Sequence, residues 1–450
     1  MSQTIKVSNI RHGNPGRTGW NAILPDPEPA NVLDLNIHAD WLVIGGGFAG
    51  LAAARRLSQL RSDDKTVLLE AIRIGDNAAG RSSGFMIDLP HDISSDSYTG
   101  NYESDKKQTV MNRTAVEFAR QAADEFDFSP ETFDPRGKIY SSATSSGDKH
   151  NKEYETYLDG LGEPYETLDA DDLRRISGTD YYTSGLFTPG GAMIQPALFV
   201  RSLAQGLHVS GAADIYENSP VVELRKDGSV WVAKTEKGSV TASRVILAVN
   251  GHIQSFGFFK RRLMHVFLYA SMTRALTSEE VKKLGGDSTW DFVPADPLGS
   301  TVRRISGIGG DRILVRNRFH YSPNLEASDR DVTWAAKDHY KSFDARFPML
   351  KGVEMEYRWG GRLCLSWHGV PAFGEVEDGI YSACCQNGLG ASKGLLSGIL
   401  AAEQATGTAN PYVDEYLAMD DPTRLPPEPF SSIGATIYLN WKERMAGREK

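Results

Sequence analysis

Cysteine is scarce in this chain, with three among 450 residues: Cys364, Cys384 and Cys385. None has C-x-x-C spacing, so the sequence supports neither a disulfide framework nor a thiolate metal site. The vicinal pair Cys384-Cys385 reads as two small buried residues on a strand. Such usage fits a reducing compartment, and a cytoplasmic protein is expected. The start, Met1 to Asn14, is polar and lacks the apolar segment of a signal peptide. No apolar run approaches the length of a membrane span, so no transmembrane segment is expected. The ten histidines show no H-E-x-x-H and no clustered ligand spacing, so no metal site is expected. An excess of positive charge is also missing. The net charge is −9, from 49 basic and 58 acidic residues. That balance weighs against a nucleic-acid partner and against an anionic membrane surface.

What is present begins at Ala39. The run Trp41-Leu42-Val43-Ile44 reads as a buried strand, and Gly45-Gly46-Gly47-Phe48-Ala49-Gly50 follows it with the spacing G-x-G-x-x-G. This pattern suits a nucleotide diphosphate. Gly45 permits the tight turn, Gly47 lets backbone approach phosphate, and Gly50 lets the next helix pack closely on the strand. That helix would direct unpaired N–H groups and a partial positive charge at the anion. Residues 52–60 continue with helical periodicity. A second strand, Thr66 to Leu69, ends at Glu70, about 20 residues beyond Gly50, where a carboxylate would meet ribose hydroxyls. Taken alone, the fingerprint suits NAD or FAD.

At 450 residues, two closely connected domains are expected. A proline-bearing leader, residues 1–38, should be pinned by Trp20. Nucleotide-binding segments are expected at 39–104, 184–255 and 355–412. They alternate with substrate-domain segments at 105–183 and 256–354, and residues 413–450 form a tail. Residues 105–127 carry a helical core stripe that includes Val110, whereas 144–172 read as a polar surface excursion. Strands are expected at Pro220–Leu224, Arg244–Gly251 and Met264–Thr273. The strand at 380–384 leads into a second glycine turn, Asn387-Gly388-Leu389-Gly390, and then a helix of small residues. This repeats the strand–turn–helix logic of the first turn.

These ordered motifs, together with Gly80-Arg81-Ser82-Ser83-Gly84, Gly190 to Pro196, Trp359-Gly360-Gly361 and Gly369-Val370-Pro371, resemble the glycine/D-amino-acid oxidase family of FAD-dependent oxidoreductases. Within it the chain is most similar to the gamma-glutamylputrescine oxidase subgroup. The resemblance implies an α/β fold, with a Rossmann-type FAD-binding domain and an interleaved α+β substrate domain on an antiparallel sheet. It implies FAD held without a covalent bond, with contacts from Gly45, Gly47, Phe48, Ala49, Gly50, Glu70 and Ala71. Further contacts would come from Gly80, Arg81, Ser82, Ser83, Val222, Trp359, Gly361, Gly388, Leu389, Gly390 and Ala391. The implied reaction oxidises the C–N bond of an amine or amino acid, with oxygen or another acceptor taking the electrons. The alternatives are C–O oxidation of a hydroxy acid and a flavin-bearing binding protein without turnover.

The chain departs from the family pattern at several positions. The usual Thr-x-Asp is Ser366-Trp367-His368, and a pair of glycines after Leu314 is replaced by Arg316-Asn317. The arginine that holds a carboxylate in some relatives would fall at Leu363, whereas here Arg362 precedes it. A one-residue shift on a strand reverses the face, so that role is not carried over. His368, Trp367 and Lys393 are the candidates for substrate contact, and Cys364 is a weaker candidate for flavin attachment.

Overall fold

The computed structural model describes residues 3–8, 14–90 and 101–450. Residues 1–2 and 9–13 of the leader and residues 91–100 of the 39–104 segment therefore lie outside the described residues. Among those described, no helix is long and apolar enough to cross a membrane, and no group of three or more His, Cys, Asp or Glu side chains could hold a metal ion.

The fingerprint strand, Asn36–Ile44, lies near the centre of a nine-stranded sheet. It runs parallel to Thr66–Leu69 on one side and to Ser239–Leu247 on the other, with Ile44 opposite both Leu69 and Leu247. Strand Ile380–Cys384 extends the parallel set beyond Ser239–Leu247. Leu42, Val43, Val245, Ile246 and Leu247 are all essentially inaccessible. This explains the unbroken apolar runs, because a strand covered on both faces has no solvent side to mark with polar residues. Helices Phe48–Leu60 and Ser392–Thr406 pack against each other over this sheet. The hairpin of Glu223–Asp227 and Val230–Lys234 flanks it, and Thr4–Lys6 adds an antiparallel edge strand.

The second sheet has eight strands in the order Met355–Leu365, Met264–Thr273, Arg312–Tyr321, Thr301–Ile305, Trp290–Pro294, Lys138–Ser142, Ser184–Thr188 and Glu166–Leu168. All its neighbours are antiparallel except Trp290–Pro294 with Lys138–Ser142. Helix Asp329–Arg346 covers one face, burying Val332, Ala335 and Phe343. Two expected boundaries shift as a result. Ser184–Thr188 and Met355–Leu365 were assigned to the nucleotide-binding segments, yet both are strands of this sheet. Met355–Leu365 pairs with Met264–Thr273 along nearly its whole length, so Gly360-Gly361 sits inside a strand.

Two further expectations are corrected. Residues 144–172 are more than a polar surface excursion. They form helix Ser145–Leu161, strand Glu166–Leu168 and the start of helix Ala170–Ser177. Their polar majority conceals a buried stripe of Asn151, Tyr154, Leu158 and Leu161 at helical spacing. Val110 lies on helix Tyr102–Glu125 but is 50% exposed; Ala115, Phe118, Ala119 and Ala122 carry the core face instead.

His339, on the covering helix, shares hydrogen bonds with the Ser271 hydroxyl at 2.7 Å and with the Asn317 carbonyl at 3.4 Å. Burial lowers its pKa from 6.5 to about 4. The unfolded chain therefore takes up this proton near pH 6.5, whereas the native state takes it up only near pH 4. The stability contributed by neutral His339 is intact above pH 6.5 and is lost as pH falls toward 4, on the order of 3 kcal/mol in total. His339→Gln is expected to flatten the thermal midpoint across that window. Equal acid loss in variant and wild type would assign the effect to other groups.

Candidate active site

A cavity of about 300 Å³ lies between the two sheets. The nucleotide-binding sheet contributes Gly45, Gly47, Phe48, Ala49, Glu70 and Ala71 to its lining, and Gly388 and Gly390 join from the second glycine turn. The eight-stranded sheet contributes Leu268, Ala270, Leu314, Arg316, Phe319, Gly361 and Leu363. Both turns lead into helices, so the N-termini of Phe48–Leu60 and Ser392–Thr406 meet at one cavity.

The glycines of the first turn play different parts. Gly45 has φ +111°, and a Cβ there would come within 2.5 Å of the Ala248 carbonyl oxygen. At Gly50 a Cβ would meet the Gly45 carbonyl oxygen at 1.7 Å. Gly50 is therefore a packing glycine and does not line the cavity. Gly47 is the open one, because a Cβ there would touch only the Ala79 side chain, at 3.7 Å. At Gly390 a Cβ would meet nothing within 4 Å. These two open cradles fit a bulky anionic cofactor laid against backbone N–H groups.

Glu70 is buried, and its carboxylate accepts N–H groups from Gly46 at 2.7 Å and Ile72 at 3.2 Å. Desolvation raises its pKa, and those two donors oppose the rise. The carboxylate is thus held in place at the end of its strand beside the turn.

Arg81 differs from expectation. Its Nε donates to the Asp76 carbonyl at 2.8 Å, one terminal nitrogen donates to the carbonyls of Pro15 and Gly360, and the other donates to Gly16. Four of its five N–H groups are therefore engaged by backbone. Arg81 lines the cavity but acts as a clamp between leader, loop and strand, leaving little of its donor fork for a phosphate. Ser82 and Ser83 line the cavity beside it, whereas Gly80 is buried against Gly75. The Trp359 indole N–H donates to the Arg81 carbonyl at 3.2 Å, and that of Trp20 donates to the Ser82 carbonyl at 2.9 Å. Trp359 therefore belongs to the packing behind the wall.

Val222 is corrected to its neighbour. The Val222 N–H donates to Lys234 and its carbonyl accepts from Val7, so both backbone groups are engaged in pairing. Pro220 and Val221 line the cavity instead. Leu389 and Ala391 are buried behind the second turn and do not line the cavity.

The three candidates for substrate contact are not brought to the cavity. Trp367, 64% exposed, and His368 sit on an exposed turn that follows strand Met355–Leu365. The turn braces the glycine loop: the Ser366 N–H donates to Asn387 Oδ1 at 2.8 Å, and Asn387 Nδ2 donates to the carbonyls of Gly369 and Val370. Lys393 lies in the first turn of its helix, also outside the lining. Ser392, within the G-x-S-x-G letters of Gly390–Gly394, is 1% exposed and offers no accessible nucleophile. Cys364 does line the cavity, but its hydrogen bond with Cys385, together with burial, holds the thiol well above its ordinary pKa.

The two-sheet architecture and its shared cavity define an FAD-binding oxidoreductase fold. The family model described as FAD dependent oxidoreductase, DAO, matches residues 40–404. The chain belongs to this family. Gamma-glutamylputrescine oxidoreductase of Escherichia coli strain K12 is 27% identical over 425 residues, spanning 91% of this chain and 94% of the relative. Among solved structures, glycine oxidase from Geobacillus kaustophilus superposes with a TM-score of 0.68 at 18% identity, covering 87% of this chain and all of that one. L-proline dehydrogenase from P. horikoshii gives 0.65 at 17% identity, with 86% and 98% covered.

Arg81→Met removes the clamp on the leader while keeping an apolar stem in place. Protease cleavage within residues 14–22 is expected to rise about tenfold, because the local opening free energy falls when buried hydrogen bonds are lost. Cleavage at the wild-type rate would show that the remaining contacts, among them Trp20 and the Arg362–Asn14 hydrogen bond, hold the leader without Arg81.

Proposed function

We propose that this chain oxidises the C–N bond of an amine or amino acid, with FAD bound non-covalently along the cavity between the two sheets. The observation that carries this reading is the convergence of two open glycine turns, Gly45–Gly47 and Gly388–Gly390, on a cavity whose opposite wall is the eight-stranded sheet. The family relatives named for amine and amino-acid substrates support it. FAD, when bound, supplies the hydride acceptor and passes the electrons to oxygen or another acceptor.

The protein's own residues divide the work. Gly47 and the first turn of helix Phe48–Leu60 receive the diphosphate, and Glu70 receives ribose hydroxyls. The second glycine turn places another helix N-terminus at the cavity, where it favours negative charge on the cofactor. The apolar lining from Leu268, Ala270, Leu314 and Phe319 excludes water from the substrate wall. Glu70 is the only carboxylate among the described lining residues, and its place beside the first turn assigns it to the cofactor. Two histidines, His252 and His265, also line the cavity, but an amine that binds in its neutral form loses hydride through its nitrogen lone pair and needs no side-chain base.

Purified protein is expected to be yellow and to bleach anaerobically when mixed with amines or amino acids but not with hydroxy acids. Bleaching by hydroxy acids alone would replace C–N oxidation with C–O oxidation. Stable bound FAD that no amine or hydroxy acid bleaches would favour a binding protein. Glu70→Ala is expected to weaken FAD binding about 10- to 100-fold, measured by fluorescence titration, since a charge-assisted hydrogen bond is removed. Unchanged affinity would remove Glu70 from the cofactor site.

A further inference from the structure

The cavity lining contains four arginines: Arg73, Arg81, Arg316 and Arg362. Three have evident structural work. Arg73 pairs with Glu217 and donates to the Glu28 carbonyl. Arg81 is the clamp described above. Arg362 donates to the Leu325 carbonyl and to the side-chain oxygens of Asn14 and Asn77. Arg316 is different. Its one identified contact is with the Phe319 ring, whose centroid lies 5.9 Å from the guanidinium carbon. No acidic side chain among the described residues pairs with it, and Leu268, Ala270, Leu314 and Phe319 line the same wall.

The backbone directs Arg316 into this position. It stands opposite Ala270, whereas Asn317 stands opposite Tyr269 on the other face. Asn317 accordingly points away from the cavity, where its amide donates to the Ser300 hydroxyl at 2.9 Å. A bulge follows at Arg318, with φ +65°. Leu268 then pairs with Phe319, which returns Phe319 to the face that carries Arg316. Arg318 itself turns outward to Asp338 and Glu443. On the neighbouring strand, Leu363 and Gly361 occupy the same face and carry no charge.

We propose that Arg316 is the specificity-determining anchor of the substrate, and that the substrate is an amine bearing a carboxylate, held by the Arg316 guanidinium. This deepens the amine-oxidation reading and rests on it for the identity of the cavity as the substrate site. With no counter-ion among the described residues, a guanidinium in an apolar wall suits an entering anion, and its planar fork matches a carboxylate in two parallel hydrogen bonds. Burial lowers the Arg316 pKa to about 10, so the group is still a cation at neutral pH when the cavity is empty. The phosphates of the cofactor are provided for on the other sheet, at Gly45–Phe48. An arginine on the eight-stranded sheet is therefore available to the reductant.

The test uses the FAD-loaded enzyme and its Arg316→Gln and Arg316→Lys variants, with bound-flavin absorbance as the check on folding. Butyrate and butyramide are titrated while the flavin spectrum is followed. Butyrate is expected to perturb the wild-type spectrum, with its Kd rising at least about tenfold in Arg316→Gln and recovering in part in Arg316→Lys. Butyramide binding should be equal in all three. In anaerobic bleaching with an N-methyl amino acid and its carboxamide, Arg316→Gln should raise KM for the acid about 100-fold, with kcat nearly unchanged, and leave the amide unaffected. Butyrate affinity or acid KM unchanged in Arg316→Gln would overturn the anchor while leaving amine oxidation standing. If no amine bleaches any form, amine oxidation fails, and the butyrate titration still decides the role of Arg316.

Discussion

The close approach of helices Phe48–Leu60 and Ser392–Thr406 is the constraint on which the site depends. A Cβ on Gly398 would meet the Ala49 carbonyl oxygen at 2.0 Å, and one on Gly394 would meet the Phe48 side chain at 3.1 Å. At Gly398 only hydrogen lets the two helix backbones approach this closely, and at Gly394 a methyl group would crowd the Phe48 side chain. Ala52, Ala53, Ala401 and Ala402 fill the rest of the contact and are fully buried. This packing joins segments from the two ends of the chain and brings their N-termini to one cavity. Each helix is preceded by a glycine turn because the chain must leave a parallel strand and reverse over the sheet within a few residues.

The cavity's second wall is held by a different device. The leader threads between the two sheets, and its Trp20 is fully buried with the Arg303 guanidinium over its ring at 5.0 Å. Arg303 in turn donates to the carbonyls of Ser83 and Ile194. Arg81 performs the corresponding task from the other side, collecting carbonyls of Pro15, Gly16 and Gly360. Two buried arginines thus satisfy irregular backbone that the sheets leave unpaired. Cofactor cradle and substrate wall are thereby set in one relation, although they derive from interleaved stretches of sequence.

The nucleotide-binding half was legible because its signals are local. A buried strand, G-x-G-x-x-G and an acid about 20 residues later sit within one β–α–β unit. The strands at 264–273 and 380–384 were equally plain, being short apolar runs with clear breaks. What sequence could not reveal was direction. Arg81 looked like a phosphate ligand because an arginine beside serines in a glycine loop has the right chemistry, but its donors face backbone carbonyls from distant segments. His368 and Trp367 looked like substrate contacts because they mark a departure from the family pattern, yet they fall on an exposed turn. Val222 was off by one residue, which on extended backbone exchanges the cavity face for the paired one. Arg316 was noticed only as a departure. Its face follows from its pairing with Ala270, but the bulge at Arg318 that returns Phe319 to the same face has no local sequence signature.

The most direct measurement is a crystal structure of the FAD-loaded protein. The account predicts the diphosphate at Gly45–Phe48 and the flavin ring beside Gly388–Gly390, with one ring face toward the wall formed by Leu268, Ala270 and Arg316. A flavin ring placed elsewhere, or FAD bound outside the cavity between the two sheets, would contradict it.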